Sequence, residues 1–423
     1  MRGGLIRRLT IAVAALAIAG GGFLAWQAHQ GFQRAEQYSR FGLWPDARQS
    51  LQWYLRLHPS DDAAHLALAE AFIKDEALPR VDAVVGAAAQ LAAVPDSSRF
   101  AAMARSQEGR MELLLLNRPE RAEQRFRRAI EVNSAAIDPY FMIWKLYDLT
   151  GRSHLAEAEF WKVYEASHPR ERGQRLNEWY MSQFYPATAN PALDQLMGIG
   201  APAQDAARTE AQRFIRFRDA EPDGSFGHAA LARWFEQEGD PKFALQVLEK
   251  GAELAPSTAR DPMFLSTMIN VLIATGDIDR AEKVMQSWPE PHAGYEYWLS
   301  LGQVRQEVDG DAAGAIDAYD QALVAWPGPV DWRTLNRKAA CLTQLRRSDE
   351  AAALREQIKV VEELTNDKLH QSLRQALGSL EDPDKLQPVI DFYRRLKRPL
   401  EATGWEEYAA FLKTRAASDR PSQ

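Results

Sequence analysis

The chain has 423 residues, 46% hydrophobic and 26% charged, the proportions of a folded chain rather than a disordered one. Its 51 Lys and Arg against 58 Asp and Glu leave a net charge of −7, which argues against nucleic acid as the main partner, because phosphate binding needs a basic footprint. A single cysteine, Cys341, excludes an intramolecular disulfide and a Cys-based zinc cluster.

Arg2, Arg7 and Arg8 in residues 1–8 precede an uncharged run from Leu9 to Trp26. As a helix at 1.5 Å per residue, that run is about 27 Å long, close to the thickness of a hydrocarbon core. Phe23 and Trp26 fall where an aromatic interface belt sits. The arginine surplus ahead of the run predicts a cytoplasmic amino terminus, a signal-anchor transmembrane helix over 9–26 and an extracytoplasmic remainder. Ala17-Ile18-Ala19 also fits a signal-peptide cleavage site, so a cleaved leader is the alternative and a buried helix the third reading.

Beyond residue 30 the apolar spacing is helical almost everywhere, and no alternating run reads as a strand. The expected class is all-α. A pattern then recurs at about 34 residues. One stretch carries His228, Leu231, Ala232, Phe235, Ala244, Leu248, Gly251 and Pro256, and another Tyr140, Ile143, Trp144, Tyr147, Ala156, Phe160, Val163 and Pro169. A third has Trp298, Leu301, Gly302, Arg305, Ala315, Tyr319, Ala322 and Pro327. Tyr38, Ala47, Leu51, Tyr54 and Pro59 fit the same spacing, followed by Leu68, Ala69, Phe72, Val81, Val85 and Ala88. These residues resemble the tetratricopeptide repeat (TPR), with W-x-x-L-G-x-x-Y in helix A and A-x-x-x-F in helix B. The resemblance implies about nine stacked helix-turn-helix units in a superhelix. Small residues would let helices A and B approach, and large ones would fill the groove between them.

The period divides the chain into an N-terminal array over 31–169, an atypical repeat with a long loop over 170–205, and a C-terminal array over 206–363. A helical cap over 364–415 and a disordered tail over 416–423 follow. Inside the atypical repeat, Pro186 to Pro202 is rich in proline and glycine, and such inserts are places where partners dock. Trp179, Tyr180, Phe184 and Tyr185 beside it are candidates for an exposed aromatic contact. Trp144, Trp161, Trp234, Trp298 and Trp332 read as core. The arginine clusters 118–128, 208–218 and 394–398 read as solvated faces.

No catalytic, cofactor or metal site is expected. Gly198-Ile199-Gly200-Ala201-Pro202-Ala203 matches a dinucleotide fingerprint in letters only, because no strand precedes it. The eight histidines are dispersed, with no H-E-x-x-H, and Cys341 beside Leu342 reads as a buried, inert thiol. What the resemblance does imply is binding of protein or peptide on the concave face made by polar positions of helix A. Those include Lys145 and Asp148, Arg233 and Glu236, and Gln303 and Gln306, with Arg333 and Arg337 a partial echo of the clamp by which some members grip a terminal carboxylate. The function read from this sequence is therefore a membrane-anchored protein-interaction scaffold or assembly factor of the bacterial envelope, its array in the periplasm, with no small-molecule substrate. A permanent subunit of a larger membrane complex is the alternative.

Overall fold

The computed structural model describes residues 30–184, 206–326, 328 and 332–418. The 9–26 segment, Tyr185, the 186–202 loop and the tail after Ser418 lie outside them. Among the described residues there are 21 α-helices and no strand, as the periodicity predicts. No described helix is long and apolar enough to cross a membrane.

The chain divides into two compact units, residues 1–115 with 124–139, and residues 116–123 with 140–423. The first unit holds α1 (30–40), α2 (Trp44–Leu57), α3 (Asp62–Lys74), α4 (Arg80–Ala93), α5 (Ala101–Arg110) and most of α6 (Pro119–Val132). Ala47, Leu51 and Leu55 put one apolar stripe of α2 against Ala64, Leu68 and Ala71 of α3. Asp61 starts α3 by accepting from the Ala64 N–H at 3.1 Å. The Phe126 ring lies 2.5 Å from where a Cβ on Gly109 would sit, so only glycine lets α5 and α6 approach this closely.

The second unit continues with α7 (Ile137–Leu149), α8 (Ser153–Ala166), α9 (Pro169–Phe184), α10 (Ala206–Ala220), α11 (Ser225–Gln237) and α12 (Pro241–Leu254). Next come α13 (Pro262–Thr275), α14 (Ile278–Gln286), α15 (Tyr295–Glu307), α16 (Ala312–Ala325), α17 (Trp332–Gln344) and α18 (Ser348–Leu364). From α11 to α18 the helices pack as successive antiparallel pairs. Asp240, Asp261 and Asp311 cap α12, α13 and α16 through their side chains. The α13–α14 turn closes through left-handed Gly276, with the Asp277 N–H donating to the Leu272 carbonyl at 2.9 Å. Gly302 of α15 lies under the Tyr319 ring of α16, again 2.5 Å from a hypothetical Cβ.

Two features depart from the regular stack. The C-terminal helices α19 (Asp367–Leu377), α20 (Gln387–Arg395) and α21 (Pro399–Ser418) do not follow α18 as a terminal cap. They turn back onto α8 and α9 instead. Gly173 of α9 lies against the Tyr408 ring, and the Tyr164 hydroxyl donates to the Gly404 carbonyl at 3.2 Å. The last helix runs from Pro399 to Ser418, so residues 416–418, expected in the disordered tail, are helical.

The second departure is a pair of reciprocal caps. Glu221 after α10 accepts from the backbone N–H groups of Glu120 and Arg121 at 2.8 and 3.1 Å, at the start of α6. The Glu120 carboxylate in turn accepts from the Ser225 N–H at 2.9 Å, at the start of α11. Burial pushes the Glu221 carboxyl up to about 7 in spite of these donors.

Three residues are buried or exposed against expectation. Arg213 and Arg398 are buried rather than solvated, and Trp332, expected in the core, is 42% exposed at the first position of α17.

Candidate functional site

The even spacing of the second array brings five of the sequence-selected residues into one cleft. Arg233 and Glu236 come from α11, Gln303 from α15, and Arg333 and Arg337 from α17, around a cavity of about 200 Å³. Two columns of equivalent repeat positions run along it, Arg233–Thr267–Ser300–Thr334 and Glu236–Asn270–Gln303–Arg337, and all of these but the buried Ser300 line the cavity. Steps such as 34 residues from Arg233 to Thr267 and 33 from Asn270 to Gln303 return each column to the same side of successive helices A. The same spacing puts Asn270, which the repeat resemblance does not single out, in this column.

The charges in the cleft are unevenly neutralised. Arg233 donates to both carboxylate oxygens of buried Glu296, at 3.1 and 3.3 Å, and to the Thr267 hydroxyl at 3.3 Å. Burial opposes the Glu296 charge, yet the Arg233 guanidinium holds this carboxyl below its ordinary range. Arg337 donates to the Asn270 side-chain oxygen at 3.4 Å, and the Gln303 amide turns its oxygen to the same guanidinium. Neither Arg333 nor Arg337 pairs with a carboxylate among the described residues.

The chain's own α7–α8 turn and the first turns of α8 pack against α11, α15 and the end of α16. The Arg152 guanidinium lies 3.7 Å from the centroid of the Phe226 ring on α11 and donates to Glu123 at 2.9 Å. His154 packs against both the Tyr295 and Trp326 rings, which also touch each other, with its Nδ1 4.0 Å from Glu296. Burial lowers the His154 pKa to about 4, so its imidazole is neutral near pH 7. The Trp326 indole donates to Glu157 of α8 at 3.1 Å.

The aromatic candidates of α9 are not an exposed contact. Trp179 is 2% exposed and stacks on Phe160 at 4.8 Å and 10°, and its indole donates to Glu401 of α21 at 3.3 Å. Tyr180 is fully buried and hydrogen-bonds His370 of α19 at 2.6 Å. Phe184 is half-buried against Phe392 and His370. Sequence spacing alone could not reveal these partners, which lie about 200 positions further along the chain.

Lys145 also departs from expectation. It is 5% exposed, with its ammonium 3.8 Å from the Trp144 ring centroid, 3.8 Å from Glu178 and 4.0 Å from Asp148. Burial lowers its pKa, and burial raises that of Asp148 to about 6, although Ser182 donates to that carboxylate at 2.5 Å. This group is an internal polar contact between α7 and α9, separate from the cleft. Cys341 is buried, which pushes its thiol pKa up. Among the described residues no group of three or more His, Cys, Asp or Glu side chains gathers as a metal site.

No family model and no curated protein matches the chain. Among solved structures it is similar to the Cut9–Hcn1 hetero-tetramer of APC/C, at 14% identity and TM-score 0.37, over 92% of this chain and 76% of that one. A human IFIT1 dimer with m7Gppp-AAAA is 14% identical at TM-score 0.36, over 75% and 91%. A tetratricopeptide repeat protein from Parabacteroides merdae is 11% identical at TM-score 0.26, over 71% and 94%. All three scores are low, and the helix-pair architecture stands on the geometry of this chain itself.

Proposed function

We propose that the chain is a protein-binding scaffold, not an enzyme, whose α11–α17 cleft takes an anionic group of a partner segment. The observation that carries this reading is the pair Arg333 and Arg337, which line the cleft with no carboxylate partner among the described residues. A carboxylate entering there would meet two guanidiniums, the groups suited to charge-assisted hydrogen bonds with it. The Leu9–Trp26 run and the arginines before it support a single-pass anchor with the array in the periplasm of a bacterial envelope, where the work would be assembly or recruitment. A cleaved leader and a soluble periplasmic chain would use the cleft in the same way.

One observation favours the second reading, a permanent subunit of a larger membrane complex. Arg152, His154 and Glu157 already pack against Phe226, Tyr295 and Trp326 of the array, which leaves less of those helices for a transient peptide. A crosslinking pull-down from native membranes, with the tag at the carboxyl end, tests both. The Arg333→Glu/Arg337→Glu variant is expected to lose a defined set of envelope proteins that the parent chain captures. An unchanged set sinks the cleft as the binding site. Retention of the set through stringent washing marks a permanent subunit, and recovery of cytoplasmic proteins alone contradicts the topology.

A further inference from the structure

A stacked array leaves its last helix pair with an open face, which is normally covered by a polar or capping helix. Here α17 and α18 end the stack, and the next three helices leave to pack on α8 and α9. The face left behind is an open groove of about 560 Å³, within the size range of ligand-binding pockets. Its floor is apolar, with Leu342 from α17, Leu354, Val360 and Val361 from α18, and Leu396 at the end of α20. Ala353, Gln357 and Val360 recur at helical spacing along α18 and are exposed or half-exposed, a stripe that a neighbouring helix would ordinarily cover.

The rim carries a directional charge pattern. Arg395 and Lys397 stand on the α20 side, with no carboxylate partner among the described residues, whereas Arg394 and Arg398 next to them are paired. Lys338 is taken by Asp320 and Glu350 by Arg347, while Glu356 on α18 puts an acidic side chain on the opposite rim from Arg395 and Lys397. Lys397 has a left-handed backbone, φ 58°, at the turn between α20 and α21. Its N–H donates to the Arg394 carbonyl at 3.0 Å and the Arg398 N–H to the Tyr393 carbonyl at 2.9 Å. Glycine is the least strained residue for such a turn, yet a lysine stands there.

We propose that this groove docks an amphipathic helix of a partner protein, with an apolar stripe flanked on one side by acidic residues. The stripe covers Leu354, Val360 and Leu396 in the place of the absent capping helix, and the acidic flank meets Arg395 and Lys397. This site is separate from the α11–α17 cleft and does not depend on it.

The test uses the full chain and two synthetic helical peptides with the same leucine–alanine stripe, one flanked by glutamate and one by lysine, read by fluorescence anisotropy. The glutamate peptide is expected to bind about tenfold more tightly than the lysine peptide. Ala353→Asp, on the exposed face of α18, is expected to weaken it by about tenfold or more. Arg395→Ala/Lys397→Gly relieves the backbone strain at the turn, so its thermal melt stays at or above that of the parent chain while the preference for glutamate disappears. Equal binding of the two peptides, or affinity unchanged by Ala353→Asp, overturns the proposal. Self-association of the parent chain that Ala353→Asp abolishes, with no peptide binding, also overturns it and assigns the groove to a second copy.

Discussion

The α15–α16 hairpin and the α9–α21 contact use the same physical device, a glycine that lets an aromatic ring come close to a helix. In the first, Gly302 and Tyr319 belong to one repeat. In the second, Gly173 receives Tyr408 from the far end of the chain, and Trp179 finds Glu401 at a separation of 222 residues. The repeat pattern specifies that a helix A needs an apolar partner, but not which helix will supply it. Where a long insert follows α9, the C-terminal helices pack there, and the end of the α17–α18 stack is left open.

Arg398 gives the strongest way to break the α9–α21 side of this comparison. Its guanidinium is buried and donates to Glu157 at 2.5 Å and to Glu401 at 2.6 and 3.0 Å. Arg398→Ala strands two carboxylates, and we expect a loss of about 3–5 kcal/mol in the second unit by denaturant titration. A loss below about 1 kcal/mol would show that the C-terminal helices are loosely held.

The acid side of the stability profile sharpens the same point. His154 has a pKa of about 4 in the folded chain, against an ordinary value of about 6.5. Above the ordinary value both states are neutral. As pH falls toward 4 the unfolded chain gains a proton that the fold refuses, so stability drops, by about 2–3 kcal/mol in all. Glu221 acts in the opposite sense. Its folded pKa of about 7 lies above the ordinary carboxylate value, so its contribution improves as pH falls from 7. Denaturant titrations at pH 5 and 7.5 should show His154→Gln losing the acid penalty and Glu221→Gln deepening it. Identical profiles for the parent and both variants would contradict these assignments.

Smaller effects separate local from distant packing. Gly302→Ala forces its Cβ into Tyr319, with an expected cost of about 1–3 kcal/mol. Gly173→Ala should cost a similar amount, but its damage should appear as loosening of α21, read as earlier proteolysis at Pro399–Ser418. Trp332→Ala is the smallest change. Its side chain stands at an exposed helix start, so the melt should move by less than the equivalent of about 0.5 kcal/mol. A large destabilisation there would return Trp332 to the core position that its sequence pattern suggests.

Much of this architecture was legible because the helix pairs depend on short-range spacing. The Gly302–Tyr319 contact and the Glu236–Asn270–Gln303–Arg337 column follow from a period near 34, and the five cleft residues follow from the resemblance to the tetratricopeptide repeat, which points to polar positions of helix A and to a carboxylate clamp. The α9 aromatics were misread because their burial depends on helices beyond the repeat. Trp332 is exposed because it falls off the inward face of α17, which Leu335, Ala339 and Leu342 make. The open end of α18 was hidden for the same reason as the α9 contact, since both follow from where the last three helices pack.

The most direct measurement is hydrogen exchange across Leu176–Ser182 in the full chain and in a chain ending at Thr365. Removing α19–α21 should strip protection from α9 while Ala64–Ala71 in the first unit stays protected. Undiminished protection of α9 in the shortened chain would contradict the central claim that the C-terminal helices complete this repeat.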